Sequence, residues 1–74
     1  MTFDKEIFAQ RLTLLRQKRN LTMTKLGAAI GVAHQLISRW EKAMAAPTIE
    51  NLYALASFFN VDSDYLIGRK DVSR

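Results

Sequence analysis

Thr22-Met23-Thr24-Lys25-Leu26-Gly27-Ala28-Ala29-Ile30-Gly31-Val32-Ala33-His34-Gln35-Leu36-Ile37-Ser38-Arg39-Trp40-Glu41 is the stretch on which the reading of this sequence turns. Thr22 is a good N-cap, and Leu26, Ala29 and Ile30 follow it at helical spacing until Gly31, which adopts a positive φ at little cost, stops the run. The spacing predicts a short helix over Met23–Ile30. A further helix is expected from His34 to about Lys42, after which Ala43-Met44-Ala45-Ala46-Pro47 must leave it, because Pro47 disfavours helical backbone at Ala46. Two short helices joined through a glycine turn cross at an angle that lets the second project outward.

The projecting helix has two faces. With His34 at zero and about 100° per residue, Ser38, Lys42, Gln35 and Arg39 fall in order between about 40° and about 140°, while Leu36, Trp40 and Ile37 fall between about 200° and about 300°. Any surface helix is amphipathic, so a solvated polar face is the plain reading. The chemistry of the polar arc points further. Gln35 can offer a donor–acceptor pair to adenine, Arg39 can fork onto O6 and N7 of guanine, and Ser38 or His34 can bond to either base. An α-helix fits the major groove of B-DNA.

Outward from this stretch the 3.6-residue period recurs and no segment alternates with period two, so the chain is all-α. Asp4 can cap a first helix over Lys5–Arg19 with Ile7, Phe8, Leu12 and Leu15 on one stripe, and Asn20 suits the left-handed residue after it. Thr48 caps a fourth helix whose expected core stripe is Ile49, Leu52, Tyr53, Ala56 and Phe59, with Asn60 ending it. Asp62 is expected to cap a last short helix through Tyr65, Leu66 and Ile67 to Gly68. Five helices in one domain over residues 1–68 are expected, with 69–74 as a frayed, flexible tail.

Seventy-four residues bury roughly 60% of the chain's surface, enough for one core. The chain has no cysteine and one histidine, so neither a disulfide nor a multi-histidine or thiolate metal site is expected, and no cofactor or small-molecule ligand. No apolar run approaches the ~18 residues of a membrane span, and the N-terminus lacks a signal peptide's apolar region, so a cytoplasmic protein is expected. The net charge of +4 is uneven. Met1–Lys42 carries +5, Ala43–Gly68 has no Lys or Arg and carries −3, and Arg69–Arg74 returns +2. A basic first half is compatible with a nucleic-acid partner. An enzyme is not expected: Ser38, Glu41 and His34 are close in sequence, but the chain offers no glycine loop for an oxyanion hole.

From about Leu12 to Gly68 the sequence resembles the Cro/repressor-type helix-turn-helix family, also called the XRE family. The resemblance rests on Leu26-Gly27, the turn Ile30-Gly31-Val32, the run Ile37-Ser38-Arg39-Trp40-Glu41, the Pro47-Thr48-Ile49-Glu50-Asn51-Leu52 start of the fourth helix, and Asn60-Val61-Asp62 before Tyr65-Leu66-Ile67-Gly68. It implies a compact lambda-repressor-like fold with a helix-turn-helix formed by the second and third helices. It also implies that His34, Gln35 and Arg39 read bases, which agrees with the polar arc, and that Arg16 and Glu41 form a partly buried ion pair between the first and third helices. Four positions depart from the family pattern: Met23 replaces Gln, Ala33 replaces a Ser or Thr cap, Ala43 stands for Gly and Met44 for a base. Phosphate contact is therefore expected from Thr22, Lys25 and Lys42, with Lys18 and Arg19 less favoured.

The expected function is that of a bacterial or phage transcriptional regulator, a repressor, bound to a pseudo-palindromic DNA operator as a homodimer. Phe58, Tyr65, Leu66 and Ile67 either complete the core or form the two-fold interface. The competing reading is a protein-interaction module on the same fold, antitoxin-like or serving a regulatory partner, with weakened DNA binding.

Overall fold

Five helices follow one another along residues 3–71, the part of the chain that this computed structural model describes. They are α1 (Lys5–Lys18), α2 (Met23–Ile30), α3 (His34–Glu41), α4 (Ile49–Phe59) and α5 (Ser63–Leu66). The all-α expectation and the order of the helices hold. Asp4 accepts hydrogen bonds from the Glu6 and Ile7 N–H groups, Thr22 from Lys25, and Thr48 from Asn51, so three helices start on the side chains expected to cap them. Gly31 and Asn60 take left-handed backbone, φ 80° and 56°, after α2 and α4.

The core is a single cluster. Phe8 and Leu12 of α1, Leu26 of α2, Ile37 and Trp40 of α3, Leu55, Ala56 and Phe59 of α4 and Leu66 of α5 are buried together. Phe8 and Trp40 meet edge to face with ring centroids 6.2 Å apart, which sets α1 against α3. Among the described residues the indole Nε1 of Trp40 has no hydrogen-bond partner, and Trp40 contributes to the core through its ring surface.

Gly27 brings α2 and α3 together. A Cβ at this position would lie 2.5 Å from the Val32 carbonyl oxygen, so only glycine lets the turn fold back that closely. The same contact carries a hydrogen bond, Val32 N–H to the Gly27 carbonyl at 2.9 Å.

Four expectations need correction. Ile49 and Tyr53 are exposed and do not belong to the core stripe of α4. With Leu52 at zero, Leu55, Phe59 and Ala56 span about −60° to about 40°, whereas Ile49 and Tyr53 stand near about 60° and about 100°. Leu55, omitted from the expected stripe, rotates the buried face away from Tyr53. Ala29 is exposed on α2. Asp62 precedes α5 but caps it with its carbonyl only, because its carboxylate pairs with Lys70. The segment after Gly68 is not loose at its start: the Arg69 N–H donates to the Asp64 carbonyl at 2.8 Å, and the Lys70 carbonyl accepts from Arg11. Residues 72–74 of the expected tail lie outside the described residues.

Candidate nucleic-acid interface

The site is built on α3, whose orientation is fixed by what lies under it. Ile37 and Trp40 are fully buried, which turns the opposite face of the same two turns outward. His34, Gln35 and Arg39 are exposed there and Ser38 is half-buried beside them. Among the described residues none of these four side chains makes a hydrogen bond or ion pair within the chain. Donors and acceptors of the kind that read base edges are thus gathered on one helix face and left open. Lys42, at the C-cap, is also exposed.

One ion pair anchors the helix from behind. Arg16 Nε donates to Glu41 Oε2 at 2.6 Å and Nη2 to Oε1 at 2.9 Å, and Nη1 donates to the Leu21 carbonyl at 2.8 Å. The side chains are 14% and 6% exposed, so the pair sits mostly out of water. The hydrogen bond to Glu41 holds the Arg16 guanidinium above its ordinary pKa, burial opposing it and the carboxylate charge adding to it. Arg16 thereby ties α1, the turn before α2 and the end of α3 together.

At the start of α2, the Thr22 hydroxyl oxygen accepts from the Lys25 N–H at 3.0 Å, which leaves its own O–H to donate outward. The Lys25 side chain is exposed. Ala33 gives α3 no side-chain cap, and its carbonyl accepts from the Leu36 N–H at 3.0 Å. Met23 is half-buried and packs against the core, whereas Met44 is exposed. Ala43 follows α3 in the left-handed region at φ 59°, with the Met44 N–H bonded back to the Arg39 carbonyl at 2.9 Å. This is the backbone of a glycine C-cap built on an alanine.

The basic residues of α1 behave differently. Arg11 donates to the carbonyls of Tyr65 and Lys70 and stacks 4.3 Å from the centroid of the Tyr65 ring. Arg19 donates to the Phe58 carbonyl at 2.9 Å and lies 5.1 Å from the centroids of both Phe58 and Phe59. With Arg16 held by Glu41, both arginines of α1 and Arg19 at its C-cap serve the fold. Sequence spacing gave no sign of this for Arg11 or Arg19, since their aromatic partners lie 39 or more residues away.

The four residues considered for a two-fold interface separate. Leu66 is fully buried in the core and is not available to a second chain. It is the one residue of α5 that turns wholly inward. Tyr65 and Phe58 are half-buried beneath Arg11 and Arg19, and Ile67 is half-buried.

A helix-turn-helix family model matches residues 12–66, which contain the Gly31 turn, the anchored α3 and the core around both. The chain belongs to this helix-turn-helix family. Among its relatives, an uncharacterized HTH-type transcriptional regulator of Bacillus subtilis, YobD, is 34% identical over 65 residues, 88% of this chain and 58% of its own length. Repressor protein C2 of Salmonella phage P22 is 32% identical over 62 residues, 84% of this chain and 29% of its own. The chain therefore spans well under two thirds of the curated relatives it matches. The crystal structure of the P22 c2 repressor in complex with a synthetic operator superposes with a TM-score of 0.81 at 32% identity, covering 85% of this chain and 96% of that one. The helix-turn-helix fold expected for α2 and α3 is thereby established. No helix among the described residues is long and apolar enough to cross a membrane.

Proposed function

We propose that this chain binds duplex DNA sequence-specifically in the cytoplasm and regulates transcription as a repressor, with α3 in the major groove and two copies on a pseudo-palindromic operator. The observation that carries this reading is the outward face of α3, where His34, Gln35, Ser38 and Arg39 are free of partners while Arg16–Glu41 fixes the helix behind them. The likeness to a repressor solved with operator DNA supports it. Gln35 and Arg39 pair with adenine and guanine edges, and His34 and Ser38 add single hydrogen bonds. Thr22, Lys25 and Lys42 hold phosphates on either side. The chain acts by binding, with no catalytic step.

The test is a titration with duplex DNA at several salt concentrations. Affinity is expected to fall with a log–log slope of about −0.9 for each phosphate neutralised. A response independent of salt would overturn this reading and favour a protein partner instead. Selection from a pool of random duplexes is expected to return a two-fold symmetric sequence.

A further inference from the structure

His34 is the chain's single histidine, and it stands on the outer face of α3 with no partner for its ring among the described residues. That face carries little fixed charge. Arg39 within the helix and Lys42 at its C-cap are its cations, and Glu41 is turned inward to Arg16. Histidine is the side chain whose charge ordinarily changes between pH 5 and 8. A proton on His34 therefore raises the formal charge of the face from +2 to +3 and that of the chain from +4 to +5.

The helices packed against α3 bring no charge that would already hold this proton. From α2 the one charged residue is Lys25, which is exposed, and the turn at 31–33 has none. From α1, Arg16 meets Glu41, and Glu6 lines an open groove with Lys42 and Ala43; both sit at the other end of α3, about 10 Å along the helix from His34. Arg11 is turned to the carbonyls of Tyr65 and Lys70, and Lys5 and Lys18 are exposed at the two ends of α1. Among the described residues no carboxylate oxygen lies within ion-pair reach of the His34 ring. A charged ring here finds its counterpart only in an acceptor or anion brought from outside.

Protonation also changes what the ring can read. A neutral imidazole has one donor and one acceptor, whereas the charged ring has two donors and no acceptor. In the major groove adenine and cytosine each present an amino donor, which only the neutral ring can accept, while guanine presents two acceptors, N7 and O6. We propose that His34 couples DNA binding to a proton: the chain binds duplex DNA more tightly as the pH falls from 8 to 6, and the charged ring narrows the preference at one base pair toward guanine. The proposal rests on the DNA-binding reading above. Uptake of a single proton on binding limits the gain to about tenfold per pH unit.

Fluorescence anisotropy of the full chain on a duplex selected from a random pool, at pH 8, 7 and 6 and fixed ionic strength, tests this. The Kd is expected to fall by about threefold or more between pH 8 and pH 6. His34→Gln, which keeps a donor and an acceptor but cannot take up a proton, is expected to give a flat profile whatever its affinity at pH 8. Selection repeated at pH 6 is expected to enrich guanine at one base pair relative to selection at pH 8, and to do so for the wild type only. An affinity that depends on salt but not on pH, or a pH profile retained in His34→Gln, would overturn the proposal. The same selected bases at both pH values, with the affinity gain kept, would overturn the guanine preference and set the proton against a phosphate. Absence of salt-dependent duplex binding at every pH is a different result: it would overturn the DNA-binding reading, and the proton coupling with it.

Discussion

Arg16 and Glu41 stand 25 residues apart in sequence and meet through two nearly parallel hydrogen bonds, Nε to Oε2 at 2.6 Å and Nη2 to Oε1 at 2.9 Å. The planar fork of the guanidinium matches the carboxylate, so the contact fixes an angle as well as a distance. It holds the last turn of α3 to the last turn of α1. Because neither residue faces the outer side of α3, the pair governs how that outer face is presented without forming part of it.

Breaking one side of this pair leaves a charge stranded in a mostly dry setting. Arg16→Met is expected to lower stability by about 3 kcal/mol, and Arg16→Met with Glu41→Leu to recover much of that loss, because no charge is then left without its partner. Urea denaturation of the two variants checks this. An unchanged midpoint for Arg16→Met would show that the pair contributes nothing to stability.

Ala43 occupies left-handed backbone at φ 59°, a conformation that costs a residue with a Cβ roughly 1 kcal/mol. Ala43→Gly is therefore expected to stabilise the chain by about 1 kcal/mol, which raises the melting temperature by about 4–8 °C in a domain of this size. A branched residue there, as in Ala43→Val, is expected to lower it. Thermal unfolding followed by circular dichroism measures both.

Gly27→Ala tests the close approach of α2 and α3. Alanine is the better helix former by about 1 kcal/mol, but its Cβ would meet the Val32 carbonyl at 2.5 Å, and backbone must move to relieve the clash. The expected net result is destabilisation of about 1–3 kcal/mol. A variant as stable as the wild type would mean that the turn can open without cost.

Arg39→Ala and Lys25→Ala separate base reading from phosphate holding. Arg39→Ala is expected to lose about 1–3 kcal/mol on the selected operator and to relax preference at one base pair. Lys25→Ala is expected to weaken all sequences alike and to reduce the salt slope by about 1. Fluorescence anisotropy on selected and random duplexes provides both comparisons; equal losses on the two duplexes for both variants would contradict the assignment.

Local rules carried most of the fold. Thr22, Thr48, Gly31 and Asn60 act within a few residues of themselves, so caps and stops were readable in sequence, and the division of α3 into an inner face with Ile37 and Trp40 and an outer face with Gln35 and Arg39 followed from the helical period. Ile49 and Tyr53 were misplaced because hydrophobicity says that a side chain can be buried, while the position of Leu55 and of the neighbouring helices decides which ones are. The sequence shows Arg11 and Arg19 only as part of a basic first half, with Arg19 less favoured for phosphate, because stacking on Tyr65, Phe58 and Phe59 exists only after α4 and α5 have docked. Asp62 was a sound cap by type, and Lys70 took its carboxylate from eight residues away.

Because His34, Gln35 and Arg39 stand outside the core and their side chains make no hydrogen bond or ion pair with the other described residues, the recognition proposed for them is separable from the folding of the chain. Each can be exchanged for another polar residue at a cost within about 0.5 kcal/mol, the usual range for surface positions. On the proposed reading, a lineage of such chains can drift from one DNA target to the next while Trp40, Gly27 and the Arg16–Glu41 pair stay as they are, and a library randomised at positions 34, 35 and 39 is expected to consist largely of folded proteins.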